Sequence, residues 1–109
     1  MTAVASDRLS FKARVDAWAA KIDVEFEAIT VREMRRKWAS CSTAGRLTFD
    51  STCLELRPRL QDYVIVHELL HLRVPNHGKL WKSLLSAYLG NYAALEAELR
   101  RVAAKQLST

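Results

Sequence analysis

One stretch constrains this chain more than any other: Tyr63 to Leu72, YVIVHELLHL. Apolar residues occupy every side of it, namely Tyr63, Val64, Ile65, Val66, Leu69, Leu70 and Leu72. A helix that is hydrophobic all round has to be covered on most sides, so it belongs at the centre of a fold. Pro58 is well placed as its first helical residue. Val74 precedes Pro75 and is pushed towards extended backbone, so the helix is predicted to span residues 58–73. A chain of 109 residues has room for one small core, and we expect a single domain over residues 1–109 built around this helix.

The flanking segments supply the cover. Phe11, Val15, Trp18, Ala19 and Ile22 recur at helical spacing, which predicts a helix over residues 7–22 with one buried stripe. In VEFEAITV, Val24, Phe26 and Ala28 alternate with Glu25 and Glu27, the pattern of a half-buried strand. STAG has turn chemistry, and RLTFD reads as a second strand with Leu47 and Phe49 on one face. STCLELRP reads either as a further strand through Leu54 and Leu56 or as an irregular link. After Pro75 a helix over residues 77–89 is expected to turn Leu80, Trp81, Leu84, Leu85 and Tyr88 inward. Gly90 suits its C-terminal end, and Asn91 suits the cap of a last helix burying Leu95, Leu99 and Val102. The fold class is therefore α+β: an N-terminal helix, a small antiparallel or mixed sheet of two or three strands, the buried helix and two C-terminal helices.

The central run also carries His67, Glu68 and His71, and the third and last histidine, His77, follows six residues later. A carboxylate left unpaired in an apolar site costs several kcal/mol, on the order of an ion-desolvation penalty, unless something compensates. A divalent cation compensates. His67 and His71 are four residues apart and lie on one helical face, so their nitrogens can converge on one ion. Glu68 sits at the flank of that ion, within reach of a water on it. This is the H-E-x-x-H arrangement. The chain must turn at Val74-Pro75-Asn76, which can bring His77 to the open side of the pair. Three protein nitrogens plus water make a catalytic zinc site, with one zinc per chain. Glu96 and Glu98 on the last helix are rival third ligands.

Other residues carry weaker signals. The net charge of +5 is compatible with nucleic acid or an acidic partner. Its densest cluster, Arg32, Arg35, Arg36 and Lys37, is a candidate for phosphate or nucleic-acid contact. Cys41 and Cys53 form no C-x-x-C pair and are expected as free thiols. The start, MTAVASDRLSFKARV, lacks the apolar stretch of a signal peptide, and nothing is long and apolar enough to span a bilayer. A cytoplasmic protein with no membrane contact is expected. Trp38 and Trp81 are expected as core aromatics. Tyr63, Tyr88 and Tyr92 are candidates to stabilise an oxyanion.

From about Val15 to Tyr92 the sequence resembles the YgjP-like metallopeptidases, relatives of the SprT-like and WLM proteases. The resemblance rests on VREMRRKWASCST, the following GRLTFD, DYVIVHELLHL and NHGKLW. It implies a minimal, gluzincin-like zincin fold with zinc held by His67, His71 and His77 and Glu68 catalytic. Ala39 stands where the family usually has Gly, Asp50 where Asn is common, and Leu80 where Phe precedes the tryptophan. The chain also reads as a short form without the usual N-terminal region. Metzincins share the ligand spacing but place Gly where this chain has Val74.

The function expected is zinc-dependent hydrolysis of peptide bonds in a peptide or protein substrate, with Glu68 as general base. An extended substrate can add as a strand to the sheet edge above the helix. The alternatives are a zinc hydrolase of nucleotide pyrophosphates and a SprT-like DNA-associated protease or metal-binding module.

Overall fold

A computed structural model of the chain describes residues 2–34, 37–74 and 77–107. Helix α1, Thr2–Ile22, is followed by strands β1 (Ala28–Arg32), β2 (Ala39–Cys41) and β3 (Arg46–Asp50). A 3-10 turn at Ser51–Glu55 leads into α2 (Pro58–Leu70), α3 (Lys79–Leu89) and α4 (Tyr92–Leu107). The α+β class and the order of elements agree with the expectation.

Helix α2 is the centre of the molecule. Leu60, Val64, Ile65, Val66, Leu69 and Leu70 are all buried, and α1, α3, α4 and β2 pack around them. Pro58 starts the helix as expected. Regular helix ends at Leu70, earlier than residue 73, because the chain tightens into shorter turns there. His71 N–H reaches the Glu68 carbonyl at 3.1 Å, and Leu72 and Arg73 repeat that closure at 3.1 and 3.0 Å. Arg73 Nη1 then donates to the carbonyl of Ile22 at 2.5 Å, so a cation caps the C-terminal end of α1.

Helix α1 buries Phe11, Val15, Ala19 and Ile22, the predicted stripe, and Arg14 and Trp18 both donate to Asp62 of α2 at 2.9 Å. Its end is closed by Val24 N–H on the Ala19 carbonyl at 3.0 Å, with Asp23 at φ 63°. That closure corrects the sequence reading, which began a strand at Val24. β1 begins at Ala28, paired with Arg46, the first residue of β3. Glu27 still donates its N–H to the Gly45 carbonyl at 2.8 Å, but residues 24–26 lie outside the β1/β3 ladder. The phase also reverses: Ala28 is exposed, while Val31 is buried.

The sheet has the order β1-β3-β2, with β1 parallel and β2 antiparallel to β3. In the turn between β2 and β3, Gly45 takes φ 84° and donates to the Ser42 carbonyl at 3.0 Å. Leu47 and Phe49 are buried on one face of β3, as predicted. STCLELRP is no third strand. Asp50 ends β3 and caps the 3-10 turn by accepting from Thr52 N–H at 3.0 Å, while its other oxygen accepts from Met34 N–H at 2.6 Å.

Helix α3 starts at Lys79, two residues later than predicted, with Gly78 as its cap. Trp81, Leu85 and Leu89 form its buried stripe. Leu84 and Tyr88 flank the stripe and are half-buried, whereas Leu80, one residue off its start, is exposed and not inward. Gly90 closes α3 at φ 72°, and α4 follows Asn91 and buries Leu95 and Leu99, with Val102 half-buried. No helix among the described residues is long and apolar enough to cross a membrane.

Candidate metal centre

The face of α2 that carries His67 and His71 meets the start of α3. His67 lies in regular helix and His71 is the C-terminal cap residue. His77 comes from the link, immediately before Gly78; Pro75 and Asn76 of the expected turn lie outside the described residues. One ligand atom from each of the three histidines lies within 4.8 Å of the other two. His71 Nε2 and His77 Nε2 are 3.2 Å apart. Two nitrogens about 2.0–2.1 Å from one tetrahedral zinc stand roughly 3.3 Å apart, so this pair has the separation of co-ligands. His67 and His71 are half-buried and His77 is exposed, so the cluster is open on the His77 side.

The protonation chemistry fits a cation. Burial holds the His71 pKa below its ordinary value, with His67 and His77 pushing the same way against the Glu68 carboxylate. The neutral imidazole, the form that binds metal, is thus favoured. Glu68 is 8% exposed, and its Oε2 lies 2.9 Å from His67 Nδ1. A carboxylate on Nδ1 leaves Nε2 as the ligating nitrogen and orients the ring.

The rival ligands are engaged elsewhere. Glu98 accepts from Arg57 at 2.6 and 2.7 Å, and Glu96 accepts from Tyr63 Oη at 2.8 Å and from Arg100. Neither belongs to the histidine group. Arg57 draws the Glu98 pKa below its ordinary value, which favours the ion pair. Burial, reinforced by Glu96, raises the Tyr63 pKa, so its phenol stays protonated and committed to Glu96. Tyr88 packs edge-on against Trp18, with centroids 6.2 Å apart.

A cleft of about 240 Å³ opens beside His67 and Glu68, lined also by Trp38, Ala39, Tyr63, Val64 and Leu99. Trp38 is therefore a wall of this cleft, half-buried, and more than a core aromatic. Trp81 is buried as expected, but under the three histidines. Cys41 on β2 is half-buried; burial and then the Glu68 charge raise its pKa, so it rests as a protonated thiol. Cys53 is fully buried, and burial pushes its pKa up to about 12. Both cysteines are free. Of the basic cluster, Arg32 and Lys37 are exposed, while Arg35 and Arg36 lie outside the described residues. Sequence reasoning missed the cleft lining, since β2 is three residues long and Leu99 reaches the cleft only through tertiary packing.

Fold and site together define a small α+β domain with a histidine cluster on its central helix. Residues 5–102 match the model of the YgjP-like metallopeptidase domain, and the chain belongs to that family. Similar solved structures include two metallopeptidase zymogens. The metallopeptidase zymogen of Methanocaldococcus jannaschii jannalysin has a TM-score of 0.73 and 27% identity, over 84% of this chain and 93% of that one. The metallopeptidase zymogen of Pyrococcus abyssi abylysin also has a TM-score of 0.73, with 20% identity over 88% and 95%. No curated protein gives a significant match.

Proposed function

We propose that this metallopeptidase domain is a zinc-dependent peptidase whose ion is held by His67, His71 and His77 and whose general base is Glu68. The observation that carries the reading is the convergence of three imidazoles beside a nearly buried carboxylate at the mouth of an apolar cleft. Bound there, zinc would act as a Lewis acid on a carbonyl and acidify water. Glu68 accepts the proton of the attacking water and returns it to the leaving amine. Its contact with His67 keeps one carboxylate oxygen fixed at the rim of the site. An extended peptide would lie along β2, the edge strand beside the cleft, pairing main chain with main chain, and place one side chain between Trp38, Val64 and Leu99. Those walls are apolar, and the Tyr63 hydroxyl is already taken by Glu96, so an uncharged side chain fits best. The free thiols of Cys41 and Cys53 fit a reducing compartment such as the cytoplasm, and residues 1–109 act as one catalytic domain in this reading.

The test is cleavage of casein and of a mixed peptide library by the zinc-loaded protein, with chelator and His71→Ala as controls. Cleavage that needs both zinc and His71 supports the reading. Cleavage unaffected by either, or none at any zinc concentration, overturns it.

A further inference from the structure

Trp81 is 4% exposed, and its ring lies against all three histidines. The centroid separations are 4.3 Å to His77, 5.0 Å to His67 and 6.0 Å to His71. The His77 and Trp81 rings are inclined at 40°, and the His67 ring meets the indole edge-on at 83°. Among the described residues, Trp81 Nε1 is the one buried side-chain polar atom without a hydrogen-bond partner. An indole placed for core packing alone is usually turned to satisfy that N–H, because an unpaired buried donor costs about 1–3 kcal/mol.

The three histidines differ in how they are held. His67 is fixed by helix α2 and by the Glu68 carboxylate on Nδ1, and His71 by the tight closure at the end of α2. His77 is the exposed member and precedes the first turn of α3. Among the described residues, its hydrogen-bonding contact is with His71, Nε2 to Nε2 at 3.2 Å. Its ring lies 4.8 Å from that of His71 and 5.3 Å from that of His67, but its nearest ring neighbour, at 4.3 Å, is Trp81, four residues on and anchored in the buried stripe with Leu85 and Leu89.

We propose that Trp81 is a positioning residue of the metal centre: it holds the His77 ring in the orientation a third ligand needs and gives up an indole hydrogen bond to do so. This rests on the zinc reading above. A link residue free to rotate loses conformational entropy when it ligates, whereas a ring already seated on the indole has lost it on folding. The stripe Trp81-Leu85-Leu89 thereby ties the third ligand to the core.

The test is a double-mutant cycle on zinc affinity, read by competition with a chromophoric chelator, with the zinc-dependent rise in melting temperature as a second readout. Trp81→Leu should weaken zinc binding about 10- to 100-fold, the range for residues that orient ligands. Trp81→Phe, which keeps an aromatic face, should recover most of the affinity and folds if Leu does not. The loss should vanish in the His77→Ala background, because the effect acts through His77. A purely structural tryptophan would lower the melting temperature of metal-free and zinc-loaded protein equally and leave affinity alone; that result overturns the proposal. So does an equal loss with and without His77. Failure of the zinc reading itself is separate: the unsubstituted chain would then bind no zinc, and the proposal falls with it.

Discussion

At the scale of single residues, Glu68 separates chemistry from metal binding. Glu68→Gln keeps size and removes the proposed base. It should retain zinc and fold normally, yet lose about 100-fold or more in hydrolysis of any substrate found. Peptide turnover and zinc content measured on the same preparation check this; wild-type turnover in Glu68→Gln would remove the base from the mechanism. His71 gives a pH expectation. Its folded pKa lies below the unfolded value near 6.5 because burial disfavours the imidazolium. The unfolded chain therefore takes up the proton first. The His71 contribution is intact above pH 6.5 and is lost as pH falls towards the folded pKa. Zinc binding should weaken over the same interval, since protons compete for the ligands. Denaturant melts of metal-free wild type and His71→Gln between pH 5 and 8 should converge if this holds.

At the scale of elements, Asp50 is the clearest junction. Its two oxygens accept from Met34 N–H, Thr52 N–H and the Thr52 hydroxyl, so one carboxylate joins the end of β3 to the segment after β1 and to the 3-10 turn. An amide has one acceptor oxygen and would leave a donor unmet. Asp50→Ala should cost about 2–3 kcal/mol, from a lost cap and buried donors left unpaired, measured by urea melts. The elements differ in how far they could be read from sequence. The α1 stripe, β3 and the Pro58 start of α2 were legible because their periodicity is carried by large apolar residues that are buried. β1 was misplaced by four residues because Val24 and Phe26 alternate like a strand but face no partner; pairing, not pattern, sets a strand's start. β2 is too short to show a period. The histidines of the candidate site were legible from spacing alone, whereas Trp81 as their floor and Trp38 as a cleft wall depend on how α3 and β2 pack against α2.

At the scale of the whole molecule, the core and the candidate metal centre share one helix. α2 is covered by α1, the sheet, α3 and α4, and the histidines sit where its last turn meets α3. An ion bound by His67 of α2, by His71 at its C-terminal cap and by His77, in the link just before α3, would clamp the start of α3 to α2 and favour the folded state alone. Zinc at 100 times its dissociation constant should stabilise the domain by about 2.7 kcal/mol, and excess chelator should remove that increment. Because Glu96 is held by Tyr63 and Arg100, replacing it should leave the metal in place. The most direct measurement is zinc stoichiometry and affinity across the unsubstituted chain, His77→Ala and Glu96→Ala. The account predicts one zinc per chain, a large loss of affinity in His77→Ala and wild-type affinity in Glu96→Ala. No bound zinc in the unsubstituted chain, or a loss in Glu96→Ala as large as in His77→Ala, would contradict it.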